Sequence, residues 1–285
     1  MGCDRMGIRR FREEFSSSVI EDGNVLRFQP RDRDEAIRGV RAAVRFGLEM
    51  GLEPGRAIQL DLSKFSEILE MDETSRLLHV GAGASLAKVE ETLRARSMSL
   101  GLPYEGDFPL YRLLLARRPG GLSPDDDPVR QLVAGVEAIV PDGRALSIRP
   151  APRRAVGPDF TLSMLKSGGE LAFPLSFWLA YRAHAEHVRF AFRFGSKNAA
   201  EIALAQIRGQ GVRPVFSAIH EEILELHLEK GALYGAMSAI VARIVSERGG
   251  EEFALPADST PPVPEAAPPS PALGPFVTSM RRNRS

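Results

Sequence analysis

The short connection between a helical and a strand-like segment in residues 45–65, RFGLEMGLEPGRAIQLDLSKF, most constrains what this chain can fold into. Apolar residues at helical spacing predict a helix through residues 31–51, with Asp34 as its N-cap and Gly51 as its end. Ile58, Leu60 and Leu62 then alternate as one face of a strand. Only a Glu-Pro-Gly turn separates the two patterns, which leaves little chain for a loop that binds a ligand.

The rest of the chain alternates between strand and helix patterns, which predicts an α+β fold. Strand patterns occupy residues 25–30, 77–84 and 171–182, and residues 132–148 read as a hairpin turning at Pro141-Asp142-Gly143. Ser85 is the expected N-cap of a helix that follows. From residue 186 to 250 the pattern restarts with two helices and few strands, as a second α+β unit that looks incomplete.

These patterns divide the chain into four parts. The expected parts are a loose leader (1–20), a main domain (21–182), a smaller α+β unit (183–253) and a Pro-rich disordered tail (254–285). Polyproline-like PPVPEAAPPSP in the tail, or the smaller unit, offers a surface for a protein partner. A solvated tail without a partner is the commoner case.

Composition narrows the functional classes. Lys+Arg and Asp+Glu are both 37, so no net charge favours nucleic acid or anionic membranes as partners. Cys3 is the sole cysteine, which excludes an intrachain disulfide and a thiolate metal cluster. No apolar run approaches the roughly 18 residues needed to span a bilayer, so a cytoplasmic protein without a membrane anchor is expected.

Four local motifs contain residue types that could carry chemistry. GAGAS at 81–85 has Leu86 where a dinucleotide fingerprint needs its third glycine, so a strand-to-helix turn is the better interpretation. His184 and His187 lack a third metal ligand nearby, and His220 and His227 fall on opposite faces of a strand. An arginine-rich surface could bind phosphate or simply be solvated: Arg117, Arg118, Arg149, Arg153 and Arg154. SPDDDP at 123–128 is interpreted as a turn that balances these charges.

Three segments in the same order resemble the FAD-binding domain of the vanillyl-alcohol oxidase / p-cresol methylhydroxylase (PCMH) family, in its FAD-linked oxidase branch. They are LDLSKFSEILEMDETSRLLHVGAGASLAKVEETLRARSMSLGLP (60–103), LVAGVEAIVPDGR (132–144) and GPDFTLSMLKSGGELAF (157–173). The resemblance covers about residues 25–182. It implies an FAD-binding PCMH-type two-subdomain fold followed by a partial α+β cap.

The resemblance also implies FAD as the cofactor and a set of positions that would contact it. No catalytic or metal-binding residue is assigned. The cofactor positions are Gly81, Gly83, Pro103, Arg112, Gly120, Gly121, Val133 and Gly135.

The chain departs from the family pattern where the FAD pyrophosphate is held. The family follows its first helix with a Gly-rich loop of the RGGGTS kind, which this chain lacks, and a Gly-Gly pair falls on Arg112 and Leu113. The family's GSEG turn reads SGGE at 167–170, which brings in Glu170. We therefore expect a divergent homologue that has lost the pyrophosphate loop and catalysis and acts as a binding or scaffold module. The alternative is an active FAD-dependent oxidoreductase, or its FAD-binding subunit, acting on a small hydroxy-acid-like substrate.

Overall fold

The computed structural model describes residues 5–22, 25–53, 55–104, 106–116, 127–151 and 160–254, with only the backbone described at Asp22 and Phe160. Its helices are α1 (Arg5–Glu14), α2 (Arg33–Arg45), α3 (Leu86–Arg94), α4 (Leu110–Leu115), α5 (Pro128–Leu132), α6 (Phe160–Leu165), α7 (Lys197–Gly209) and α8 (Tyr234–Glu247). The strands of the first half are β1 (Val19–Asp22), β2 (Val25–Phe28), β3 (Met50–Gly51), β4 (Ile58–Leu60), β5 (Ile68–Asp72), β6 (Leu77–Gly81) and β7 (Met98–Ser99). Those of the second half are β8 (Val133–Ile139), β9 (Ala145–Ile148), β10 (Phe173–Ala180), β11 (Arg182–Ala183), β12 (His187–Arg193), β13 (Phe216–His220), β14 (Ile223–Glu229) and β15 (Glu251–Glu252).

Two sheets build the first unit. One has the order β1-β2-β4-β3, in which β4 runs parallel to both β2 and β3. The other is antiparallel, with the order β5-β6-β10-β8-β9. The expected hairpin is confirmed as β8 and β9, and Gly143 supplies the positive φ of 81° that its turn requires. A single apolar core joins both sheets and α1 to α6.

The N-terminal segment differs from the expected loose leader, because residues 5–14 form α1. Phe11 and Phe15 of this segment are 0% and 4% exposed and pack against Phe28 with ring centroids 5.3 and 5.1 Å away. Two aromatic side chains four residues apart give the helix an apolar stripe to bury. The high density of charged residues around them hid this pattern in the sequence.

The bounds of α2 also correct the prediction. Asp32, not Asp34, caps the helix, because its carboxylate accepts a 2.8 Å hydrogen bond from the Glu35 N–H. The helix ends at Arg45 rather than Gly51, and Gly47 turns the chain with a φ of 70°. This early end frees Met50–Gly51 to become β3, which pairs with β4.

The second unit is more complete than the sequence suggested. Its sheet has four strands in the order β13-β14-β12-β15, and its two helices α7 and α8 cover one face. Leu224, Leu226 and Leu228 are 0% exposed and form a second apolar core with both helices. Glu221, with a φ of 54°, turns β13 into β14 without a glycine, which is why the sequence showed only strand-like pieces there. In the described part of the chain, no helix combines the length and apolarity that crossing a membrane requires.

Candidate functional site

The cleft between the two sheets of the first unit, called the inter-sheet cleft, has a volume of about 510 Å³. One wall is the C-terminal half of α2 and the segment that leads into β3, and the other is the β8–β9 turn and residues 169–173. Its apolar lining comprises Val40, Ala43, Val44, Leu48, Met50, Pro141 and Phe173. A ligand pocket of this size is ordinary for small molecules.

The charged groups of the inter-sheet cleft largely neutralise one another. Glu49 and Glu170 line the cleft, and both carboxylates form ion pairs with the guanidinium of Arg56. Arg45, also in the lining, is paired with Glu14. The cleft therefore offers apolar walls and satisfied charges rather than a surplus of cationic donors.

The loop of residues 51–56, in the short connection between α2 and β4, folds against the turn that carries Glu170. Leu52 is only 4% exposed, and its Cδ1 lies 3.1 Å from where a Cβ on Gly169 would be. Arg56 bridges from the same loop to Glu170. Among the described residues of the loop, the gap to the turn is thus filled by the chain's own side chains.

Gly81 and Gly83 lie where β6 turns toward α3, and the fold itself explains why both are glycine. A Cβ on Gly81 would lie 2.1 Å from the Phe65 carbonyl oxygen, and one on Gly83 would lie 2.0 Å from the Leu62 carbonyl oxygen. Real Cβ atoms do not approach a backbone oxygen so closely, so these positions exclude side chains for packing reasons.

Val133 and Gly135 lie on β8 in the second sheet. Val133 is 3% exposed, and a Cβ on Gly135 would lie 2.4 Å from the Ile148 carbonyl oxygen. Pro103 is placed elsewhere, on a cleft between the first and second units. The expected cofactor positions are therefore spread over several places, and none of the described ones lines the inter-sheet cleft.

Arg112 lies on α4 with its Nε buried and, among the described residues, without a hydrogen-bond partner. The first N–H groups of α4 are already used, since Leu110 donates to Ala84 and Tyr111 donates to Ala82. Burial, followed by the charge of Glu53, raises the pKa of the Tyr111 phenol. Arg112 is thus the one described family position that carries an unused donor.

Gly120 and Gly121 lie outside the described residues, as do four of the five arginines of the expected patch. Arg149, the described member, is exposed.

Lys166 and Asp127 form a partly buried ion pair that the sequence did not reveal. The Nζ of Lys166 lies 3.0 Å from Asp127 Oδ2 and donates a 2.6 Å hydrogen bond to the Ala116 carbonyl. Asp127 also caps α5, so this residue of SPDDDP serves the local fold rather than balancing arginines. Burial lowers the pKa of Lys166, although Asp127 opposes the shift.

The structure agrees only in part with the positions that the sequence predicted for the histidines. His184 is exposed, while His187 is half-buried at the start of β12. His220 and His227 lie on two strands of one hairpin rather than on opposite faces of one strand, and His227 is buried with Nε2 2.8 Å from Glu225. Over the described ranges, no group of three or more His, Cys, Asp or Glu residues could hold a metal ion.

Comparison with the sequences of known proteins relates this chain to proteins that bind FAD. Residues 31–149 match the family described as "FAD binding domain". The resemblance to the FAD-linked oxidases is confirmed. The uncharacterized FAD-linked oxidoreductase YgcU of Escherichia coli (strain K12) is 28% identical over 160 residues, which cover 55% of this chain and 32% of YgcU. The chain thus matches about a third of the length of this curated relative, and FAD is the cofactor that the family resemblance implies.

Solved structures confirm the fold. An alkyldihydroxyacetonephosphate synthase superposes with a TM-score of 0.68 and 15% identity, over 90% of this chain and 63% of that one. The 4-ethylphenol oxidase from Gulosibacter chungangensis gives 0.62 and 12%, covering 87% of this chain and 64% of its own. For p-cresol methylhydroxylase the values are 0.61 and 12%, with 87% and 65% covered. The α+β, PCMH-type fold predicted from the sequence is therefore correct.

Proposed function

We propose that this FAD-linked-oxidase homologue does not hold FAD in the manner of its family and serves as a binding module without flavin chemistry. The contact between loop 51–56 and the turn at 169–170 carries the proposal. Leu52 and the Arg56–Glu170 ion pair fill the space in which the resemblance places the pyrophosphate. A diphosphate there would have to displace a buried leucine and separate an ion pair.

Loss of the backbone donors to the pyrophosphate would remove a large part of the free energy of FAD binding. Charge-assisted hydrogen bonds contribute roughly 1.5–3 kcal/mol each. Without three or four backbone donors, FAD would lose on the order of 5–10 kcal/mol, or about four to seven decades of affinity. In this proposal the inter-sheet cleft, with its apolar walls and internally paired charges, takes a smaller and uncharged ligand. The second unit and the Pro-rich tail remain the surfaces through which the module would engage a protein partner.

The visible absorbance of the purified protein, followed by thermal unfolding with added FAD, tests the proposal. We expect colourless protein and no change in Tm at FAD concentrations that would stabilise a flavoprotein. A ligand at 100 times its Kd raises stability by about 2.7 kcal/mol, so binding would be visible. Yellow protein with close to one flavin per chain would overturn the proposal.

The second candidate, an FAD-dependent oxidoreductase or FAD-binding subunit acting on a small hydroxy-acid-like substrate, is favoured by one observation. The buried Nε of Arg112, with no partner among the described residues, is a donor suited to a phosphate oxygen. In that case Arg112→Gln would weaken FAD binding roughly 10- to 100-fold. Arg243→Gln on the exposed surface of α8 is the matched control. If wild-type protein binds no FAD at all, this candidate fails.

A further inference from the structure

The antiparallel sheet of the first unit borders a separate cleft where it meets the start of α2. This cleft, called the Glu137 cleft, has a volume of about 250 Å³ and lies between residues 31–33, residues 64–69 and one face of the sheet. It shares no lining residue with the inter-sheet cleft. Of the described positions that the resemblance assigns to the cofactor, only Gly81 reaches its lining. The Glu137 cleft is therefore distinct from the place where the resemblance puts FAD.

Two of the bulges in this sheet lie at the Glu137 cleft. The pairing of β10 with β8 shifts by one residue at Leu175, and the pairing of β5 with β6 shifts by one residue at Leu69. Both of these extra residues line the cleft. β-Bulges are common beside functional sites, because they redirect side chains that a regular strand would place elsewhere. Two separate strand pairs are thus shaped around this cleft.

The floor of the Glu137 cleft is polar. Val136 and Phe177 are 0% exposed in the apolar core, so their neighbours Glu137 and Ser176 point to the opposite face of the sheet. Ser176 is 2% exposed, and its hydroxyl donates a 3.2 Å hydrogen bond to Oε2 of Glu137. Because that proton is used, Nε2 of His79 donates to the same hydroxyl oxygen, at 2.9 Å.

This chain of hydrogen bonds ends on a carboxylate that lacks a counter-ion. Glu137 is partly buried, and among the described residues it forms no ion pair and receives no hydrogen bond at Oε1. Removing a carboxylate from water without a cation beside it costs free energy. The floor of the cleft therefore favours a ligand that brings a positive charge.

The rim of the Glu137 cleft carries positive charge. Lys64 and Arg33 are both exposed there. Over the described ranges, Lys64 has no ion-pair partner, and Arg33 approaches only Asp34, at 3.8 Å. Arg31, the third cation of the rim, is engaged by Glu35 at 3.0 Å. Lys64 and Arg33 are therefore the cations that a ligand could reach.

The remaining lining neither neutralises these cations nor fills the cleft. The carboxylate of Asp32 is held as the N-cap of α2, and Glu67 is exposed, so water screens its charge. Phe65 is partly buried and, with Leu175 at 3% exposure, gives the cleft an apolar wall. The lining thus combines an unbalanced carboxylate at the floor, an apolar wall and two accessible cations at the rim.

We propose that the Glu137 cleft binds a small zwitterion, whose ammonium group pairs with Glu137 and whose carboxylate faces Lys64 and Arg33. The ammonium group donates to the unused Oε1, and a charge-assisted hydrogen bond of this kind is a strong one. Phe65 and Leu175 contact the methylene groups of the ligand. A volume of about 250 Å³ suits a molecule the size of an amino acid. The proposal holds whether or not the chain binds FAD.

Calorimetric titration of the full chain tests the proposal. Glycine, γ-aminobutyrate and ε-aminocaproate are zwitterions that differ in the separation of their charges, while butylamine and butyrate carry one charge each. We expect saturable binding of at least one zwitterion, roughly threefold or more tighter than that of butylamine or butyrate. No saturable binding of any zwitterion would overturn the proposal, as would equal or tighter binding of butylamine.

The sole tryptophan, Trp178, gives a second readout of the same site. Its ring stacks on His79 with centroids 3.9 Å apart, and His79 is bonded to Ser176 at the floor of the cleft. We expect the fluorescence of Trp178 to change along the titration with the Kd that calorimetry gives.

Glu137→Gln should weaken the tightest zwitterion roughly tenfold or more, because the amide keeps the shape of the side chain but not its charge. Lys64→Gln should weaken it roughly two- to fivefold, since Lys64 is exposed. Glu201→Gln and Lys197→Gln, at exposed positions of α7, are the matched controls and should leave the Kd unchanged. If Glu137→Gln does not fold, Lys64→Gln decides alone. An unchanged Kd in either cleft variant would overturn the proposal.

Discussion

The inter-sheet cleft and another cleft of about 370 Å³ between the first and second units, called the junction cleft, differ in the charged side chains that line them. The inter-sheet cleft lies beside the short connection between α2 and β4, and it has apolar walls and two carboxylates that both pair with Arg56. The junction cleft lies away from that place and collects two arginines and three histidines. A fold therefore supplies the position of a cleft, while the side chains that line it determine what it can bind.

The largest expected effect concerns the glycines that the resemblance assigns to the cofactor. Gly83→Ala would place a Cβ 2.0 Å from the Leu62 carbonyl oxygen, so the backbone must shift. We expect a loss of about 3 kcal/mol in the free energy of unfolding of ligand-free protein, measured by urea denaturation. Gly195→Ala, where a Cβ meets nothing within 4 Å, should change it by less than about 0.5 kcal/mol. If Gly83→Ala kept full stability and changed only ligand binding, the glycine would belong to a binding site after all.

The next largest effect is expected at Glu225, a buried carboxylate on β14. Glu225→Gln removes the charge that holds Arg189 and His227, and we expect a loss of about 2 kcal/mol at neutral pH. Hydrogen bonds from His227 and Arg189 lower the pKa of Glu225 although burial, the largest single influence, raises it. A carboxylate with a lowered folded pKa stabilises above its unfolded pKa, and that contribution is lost as pH falls through the folded pKa.

Wild type and Glu225→Gln should therefore converge in stability in acid, below the ordinary pKa of a glutamate. Urea denaturation across that pH range measures the convergence. Glu247→Gln, which removes an exposed partner of Arg243, is the control and should be nearly neutral. A constant difference between the two proteins at every pH would mean that the Glu225 charge contributes nothing.

The smallest effect is expected in the inter-sheet cleft. Glu170→Gln weakens the contact between loop 51–56 and its turn, but Arg56 keeps Glu49 as a partner at 2.9 Å. We expect a loss of about 0.5–1 kcal/mol in the free energy of unfolding. Glu13→Gln, in an exposed pair with Arg9, should cost less. A loss above about 2 kcal/mol would show that the ion pair is a principal support of the closed loop rather than a minor one.

Local sequence patterns predicted most of the helices and strands, because such patterns depend only on residues that are close together in the chain. The alternation of Ile58, Leu60 and Leu62, the cap at Ser85 and the hairpin turn at Gly143 are all local signals, and the structure contains each. The N-cap at Asp32 was missed because Asp34 offers the same side chain two residues later. The choice between them depends on where β2 ends.

The candidate site was harder to predict, because its contacts join distant parts of the chain. Arg56 meets Glu170 across 114 positions, and Lys166 meets the Ala116 carbonyl across 50. The three histidines of the junction cleft come from residues 184–187 and from β14, and antiparallel pairing of β12 with β14 brings His187 close to His227 across 40 positions of the chain. The spacing of residues within one strand or helix does not predict contacts between distant segments of the chain.

By itself, the sequence determined the α+β class, the family resemblance and the shortness of the connection between α2 and β4. These follow from periodicity and from motif order, which the chain carries locally. Only the tertiary structure decided that Leu52 and the Arg56–Glu170 pair fill the gap beside that connection. It also decided that the histidines share a cleft, because burial and charge pairing exist only once distant segments pack together.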